Sequence, residues 1–272
     1  MFRSSFSWRD FRGNGLPPGR YASDAIDQHA ERWCGCCYLV AAAQMVEDRA
    51  RIDAARRMRR SPAADLLCLQ TLLDHFREAD QPDTWNPCLG GYPEHVLRAL
   101  HEQAYPLEWM SRTLPCQWMG YARSQDRCPV SGHTVRVGPP NRIPLSEVKA
   151  RLRKHGSVVL EVAAETLKST SVRGRVVDLT PRQENHAVCV VGWKRGCWIV
   201  RNSWGGRRVP TRVPDTRCVT YDANECTADT EGWNSLPDDP GFALLPMSYR
   251  PLHGSPSPWI DAEVHQCTDC TA

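Results

Sequence analysis

Three residues could together carry out nucleophilic acyl chemistry: Cys37, His186 and Asn202. Cys37 begins an Ala-rich stretch free of Gly and Pro, and Gly35 just before it allows close backbone approach. A cysteine in the first turn of a helix meets unsatisfied backbone N–H groups and the positive end of the helix dipole. Both favour the thiolate, which is the nucleophilic form. His186 heads an apolar run in Glu184-Asn185-His186-Ala187-Val188, and Asn202 follows the next one in Arg201-Asn202-Ser203-Trp204-Gly205. Singly, each has an ordinary explanation: a small buried hydrophobe, a core imidazole and a turn residue. Together they form a Cys–His–Asn arrangement, in which the imidazole activates the thiol and the carboxamide orients the imidazole.

The elements that must position these groups are legible in the pattern. Cys37 to about Arg57 reads as the strongest helix, apolar early and basic late, as suits its dipole. Ala64 to Phe76, Pro93 to Gln103 and Leu145 to His155 also carry helical periodicity. After Gly156 come short β-branched runs: Ser157 to Ala163, His186 to Trp193 and Cys197 to Arg201. Residues 1–33 read as loop, with Gly13, Gly15, Pro17, Pro18 and Gly19 close together, and Gly205 to Gly241 reads as a long insertion without a period. Helices early and strands late imply an α+β protein.

The chain has 272 residues, 41% hydrophobic and 24% charged, enough for one large domain or two lobes sharing a cleft. A formal charge of +3 is too small to imply a nucleic-acid partner, and the basic run Arg49 to Arg60 reads as a helix tail with a solvated face. No stretch approaches the roughly 18 apolar residues of a membrane span, and the N-terminus lacks the apolar core of a signal peptide. Thirteen cysteines, an odd number, favour a disulfide-bearing domain with at least one thiol left over. Cys267 and Cys270 have zinc-like spacing but no second pair nearby, so neither a metal nor another cofactor is expected.

Four segments resemble the papain family of cysteine proteases: Cys34-Gly35-Cys36-Cys37-Tyr38 its nucleophile motif, and Cys88-Leu89-Gly90-Gly91-Tyr92-Pro93 the turn that ties that loop down. Asn185-His186-Ala187-Val188 with Val191-Gly192-Trp193 resembles the histidine strand, and Trp198 to Gly205 the asparagine motif. The resemblance implies one two-lobed domain over residues 1–272, helical at about 20–130 and β-rich at about 131–272, with an insertion at about 206–240 and the cleft between the lobes. It implies Cys37 as nucleophile, His186 as its imidazolium partner, Asn202 orienting His186 and Trp204 shielding that bond. Gln28 and the Cys37 N–H would stabilise the oxyanion. Gly90 and Gly91 would present backbone to the substrate, with Tyr92 and Pro93 near a side-chain pocket, and Cys34 would pair with Cys88. The partner implied is a peptide or protein substrate met by a monomer, and the compartment is lysosomal or secreted.

Five residues separate Gln28 from Cys34, more than in most papain relatives, and the first is His29. This lengthened loop is similar to that of the cathepsin X (cathepsin Z) group, as are Ser7-Trp8-Arg9-Asp10, Tyr21-Ala22-Ser23 and Ala262 to Cys267. There the loop histidine binds the substrate's C-terminal carboxylate, which implies a carboxypeptidase with His29, helped by Arg32, as a cationic donor.

Other positions depart from the family pattern. Cys36 creates a vicinal thiol whose bonding to Cys37, or a Cys34–Cys37 bond, would silence the nucleophile reversibly. His75 stands where a family cysteine is expected, and the partner expected near Met110 is missing as well. Arg207-Arg208-Val209-Pro210 replaces a glycine-rich stretch, and the family pattern resumes near Gly241. Cys116 with Cys128 and Cys218 with Cys226 are further candidate pairs, whereas Cys189 is expected buried and free. Cys36 and the insertion support an alternative reading, a papain-fold pseudoprotease that binds partners without cleaving them.

Overall fold

The computed structural model describes residues 5–13, 15–29, 34–58, 66–67, 69, 72–73, 76, 86–102, 109–110, 134–171, 173–205, 236, 238–252 and 257–267. Helix α1, Cys37–Met58, is followed by a single 3-10 turn at Pro87–Leu89 and by α2 at Pro93–Glu102. Beyond residue 134 come α3, Leu145–His155, and the short α4, Ala164–Lys168, among strands. Numbered along the chain, the strands are β1 Ser5–Ser7, β2 Leu66–Leu67, β3 Trp109–Met110, β4 Thr134–Val137, β5 Asn141–Arg142 and β6 Val158–Val162. They continue as β7 His186–Lys194, β8 Cys197–Arg201, β9 Phe242–Pro246, β10 Trp259–Asp261 and β11 Val264–Cys267. Segregated helices and a largely antiparallel sheet make the fold α+β, as the sequence implies.

The main sheet runs β5-β10-β6-β7-β8-β9, with β1 added to the far end of β7. Strand β7 pairs with β6 near His186 and with β8 further on. Gly192 is needed where β1 crosses, because a Cβ there would lie 2.2 Å from the Phe6 carbonyl oxygen. One face of the sheet, carrying Val159, Ala187, Cys189, Val191 and Ile199, packs on α1. The other, with Val158, Leu160, Val188, Val190 and Val200, closes a second core over α3.

Helix α1 is buried along most of its length, and its alanines let β7 and α2 approach closely. A helix apolar on all sides belongs inside, yet this one also carries Glu47, Asp48, Arg49 and Arg51 into the core. That corrects the reading of Arg49 to Arg60 as a solvated face: Arg49 is 1% exposed and Arg51 7%. The helix runs through the middle of the protein, so each buried charge needs a partner. Arg49 pairs with Asp261 and donates to the Ser157 carbonyl at 2.8 Å, Arg51 pairs with Glu47, and among the described arginines of that run only Arg56 and Arg57 are exposed.

Much of residues 64–76, read as a helix, lies outside the described residues, as do the insertion over 206–235 and Cys116, Cys128, Cys218, Cys226 and Cys270. Beyond the insertion the sheet resumes. β9 pairs with β8 over its whole length, with Phe242 opposite Arg201. The strand ending beside Asn202 is therefore backed.

Candidate active site

Cys37 is the first residue of α1, and the Cys36 carbonyl accepts the first helical bonds, from Leu39 and Val40 N at 3.0 Å each. The segment before it is tied down three ways. Cys34 and Cys88 form a disulfide, Gly35 N donates to the Cys88 carbonyl at 2.7 Å, and the Tyr38 hydroxyl donates to the Pro87 carbonyl at 3.0 Å. With Cys34 engaged and Cys36 fully buried in the core, Cys37 is a free, half-buried thiol.

β7 begins at His186, opposite Val162 on β6. The Asn202 Oδ1 accepts from His186 Nε2 at 2.7 Å and from Ser203 N at 2.9 Å. An amide oxygen only accepts, so Nε2 carries the proton of the neutral imidazole and Nδ1 is the basic nitrogen. The Trp204 indole stacks on the imidazole, centroids 4.6 Å apart, and covers that bond. The backbone N–H of Ala187, next to His186, donates to the Cys37 thiol, so the candidate nucleophile and the candidate base are neighbours.

Burial disfavours either charge alone: it pushes the Cys37 thiol up to about 11 and His186 down to about 4. The Ala187 N–H and the start of α1 pull the thiol the other way, and Asn202 pulls the imidazole up. Moving the proton from Sγ to Nδ1 creates both charges together and leaves the pair neutral overall, the step that a general base coupled to a nucleophile requires.

Gln28 is fixed to the segments next to Cys37 and Asn202. Its Nε2 donates to the Cys34 carbonyl at 2.7 Å, its Oε1 accepts from the Ser203 hydroxyl, and its backbone N bonds Ser203 O at 2.8 Å. Its carboxamide is thus held between the nucleophile loop and the asparagine segment.

Gly90 and Gly91 are glycines for different reasons. Gly90 has φ +110°, which a side chain strains, whereas a Cβ on Gly91 would lie 2.7 Å from the Tyr38 ring. The next residue, Tyr92, is 58% exposed, and Pro93 opens α2.

His29 Nδ1 accepts from Cys34 N at 3.4 Å, which leaves its proton on Nε2. It lies near enough to His186 for that ring to oppose its protonation. Burial first, and then His186, lower its pKa to about 4. Against the expectation of a cationic donor, both causes favour the uncharged ring. Arg32 lies outside the described residues.

Two positioning residues carry no role in the sequence reading: Asp48 and Arg201, both fully buried. Arg201 donates to Asp48 Oδ2 at 2.8 Å and Oδ1 at 3.1 Å, and to Ser23 Oγ at 2.8 Å. Asp48 also accepts from Ser23 N at 3.0 Å and the Ser157 hydroxyl at 2.6 Å. This bidentate pair joins the nucleophile helix to the residue before Asn202. The signal was available: an arginine ending an apolar strand must find an anion or leave the core.

The family model for papain family cysteine proteases matches residues 5–209. Cathepsin Z of Onchocerca volvulus is 26% identical over 218 residues, 74% of this chain and 65% of the relative. Cysteine proteinase 2 of Entamoeba histolytica is 26% identical over 187 residues, 63% of this chain and 53% of the relative. The chain thus spans between half and two thirds of the curated relatives it matches. A cysteine protease of Carica candamarcensis superposes with a TM-score of 0.53 at 18% identity, covering 96% of this chain and 99% of the other. Digestive procathepsin from Tenebrio molitor larval midgut gives 0.54 at 17%, covering 97% and 69%. At those identities the superpositions speak for the fold alone. With the family model spanning the nucleophile, the histidine and the asparagine segments in order, the chain belongs to the papain family of cysteine proteases.

Proposed function

We propose that the protein is a cysteine-type carboxypeptidase, removing residues from the C-terminus of peptides through a thioester. His186 Nδ1 takes the Cys37 proton as Sγ attacks the scissile carbonyl, and the oxyanion is held by the Cys37 N–H and the Gln28 amide. The imidazolium then protonates the departing amine. Water, deprotonated by His186, hydrolyses the thioester and restores the thiol. Gly90 and Gly91 offer backbone to the peptide on the acyl side, and Tyr92 flanks it.

The observation that carries the exopeptidase reading is His29, which follows Gln28 directly and lies close enough to His186 to couple with it electrostatically. Its Nε2–H would donate to the terminal carboxylate of the departing residue. The Cys34–Cys88 bond supports an oxidising compartment, lysosomal or secreted. Among the described residues no helix is long and apolar enough to cross a membrane.

The test is hydrolysis, under reducing conditions, of one peptide as free acid and as C-terminal amide. Preference for the acid, lost in His29→Ala, supports the carboxypeptidase. Equal cleavage of both refutes it, and cleavage of neither by a folded protein favours a pseudoprotease.

A further inference from the structure

A carboxypeptidase gains most from a positive charge where the departing carboxylate rests, since charge-assisted hydrogen bonds are about twice as strong as neutral ones. Burial and the nearness of His186 both disfavour that charge on His29. The sheet side carries a cation near His186. Val162 ends β6 opposite His186, and the chain turns at Ala163 directly into α4. That turn is fastened to the histidine strand: Asn185 N donates to the Val162 carbonyl at 3.1 Å, and Asn185 Oδ1 accepts from Ala164 N at 2.8 Å. Helix α4 has five residues, so at about 1.5 Å per residue its end stays close to this anchor. Thr166 and Leu167 are buried and fix the helix, while Lys168, its last residue, is half-buried.

Lys168 makes no ion pair among the described residues, yet it lies near enough to His186 to oppose its protonation. Glu165, on the same turn, acts on His186 with the opposite sign and limits where an anion can sit. A lysine beside the general base disfavours the imidazolium that catalysis needs. Its placement becomes productive when the substrate brings its own anion, which takes up the lysine's charge.

We propose that Lys168 is a specificity-determining residue, its ammonium pairing with the substrate's terminal carboxylate from the sheet lobe while His29 donates from the helical lobe. This rests on the carboxypeptidase reading and adds to it a source of charge. Glu165 would then disfavour departing residues with acidic side chains.

The test measures kcat and KM for the free-acid and amide peptides with the wild type, Lys168→Gln and Lys168→Arg, each checked for an unchanged melting temperature. In Lys168→Gln the acid-over-amide preference should fall about tenfold, mainly through KM for the acid, and Lys168→Arg should keep most of it. A wild-type preference that survives in Lys168→Gln overturns the role of Lys168 alone. So does an equal loss on both peptides, the mark of a structural role. No preference in the wild type overturns the carboxypeptidase reading, and this proposal with it.

Discussion

Replacing Arg201 with Met removes the guanidinium that holds α1 against the end of β8. Four hydrogen bonds to oxygen go with it, and with them its contact to Cys189: two to Asp48, at 2.8 and 3.1 Å, and two to the Ser23 hydroxyl and carbonyl, at 2.8 and 3.1 Å. Asp48 would remain as a carboxylate with no solvent contact, keeping only Ser23 N and the Ser157 hydroxyl as donors. Breaking one side of a buried pair typically costs about 3–5 kcal/mol. For a chain of this size that lowers the melting temperature by roughly 6–20 °C, at about 2–4 °C per kcal/mol. Because Asn202 follows directly, its Oδ1 shifts relative to His186, and kcat measured well below the new melting point should fall about 100-fold. The double variant Asp48→Asn/Arg201→Met leaves no unpaired charge, so it should recover about 0.5–3 kcal/mol of the loss. Thermal and urea denaturation give the stabilities, and peptide hydrolysis gives kcat. A loss below about 1 kcal/mol in Arg201→Met, or a double variant as unstable as the sum of the singles, would refute the reasoning.

Gly91→Ala should cost about 1–3 kcal/mol, because its Cβ meets the buried Tyr38 ring, and should raise KM; an unchanged melting curve contradicts this. Gln28→Ala should lower kcat about 10²–10³-fold with a much smaller change in KM, and a change confined to KM removes Gln28 from the oxyanion site. Glu47 titrates near 7 in the folded protein, against an ordinary value of 4.5, because burial outweighs its pairing with Arg51. Between those values the folded state binds more protons than the unfolded one. The stabilisation is therefore present below pH 4.5 and lost as pH rises through about 7. Glu47→Gln should gain stability relative to the wild type across that window in urea titrations, and a flat difference contradicts the assignment.

Local pattern accounts for most of what the sequence made legible. α1, β7 and β8 could be read because alanine runs and β-branched runs between turn residues carry strong period signals. Their ends match to within a residue or two: the helix begins at Cys37, and the strands cover His186 to Lys194 and Cys197 to Arg201. β1 was missed, since Ser5-Phe6-Ser7 owes its extension to pairing with Gly192, Trp193 and Lys194 and to Phe6 stacking on Trp193, none of it local. Arg49 was misjudged for the same reason: a basic helix end looks solvated until Asp261, far along the chain, is brought beside it. The Cys34–Cys88 bond and the His186–Asn202 hydrogen bond were legible through resemblance, whereas the downward pull on the His29 pKa was not. It depends on burial and on the nearness of His186, which no spacing encodes.

The most direct test is to trap the nucleophile. The folded protein, reduced and at neutral pH, is exposed to an epoxide-type thiol reagent, and the adduct is located by peptide mass mapping in the wild type and in His186→Ala. A single adduct on Cys37, formed about 10²-fold or more slowly without His186, is the result expected of a thiol activated by that base. An adduct on Cys36, Cys189 or Cys197 instead, or a Cys37 adduct formed as fast without His186, would contradict the catalytic pair.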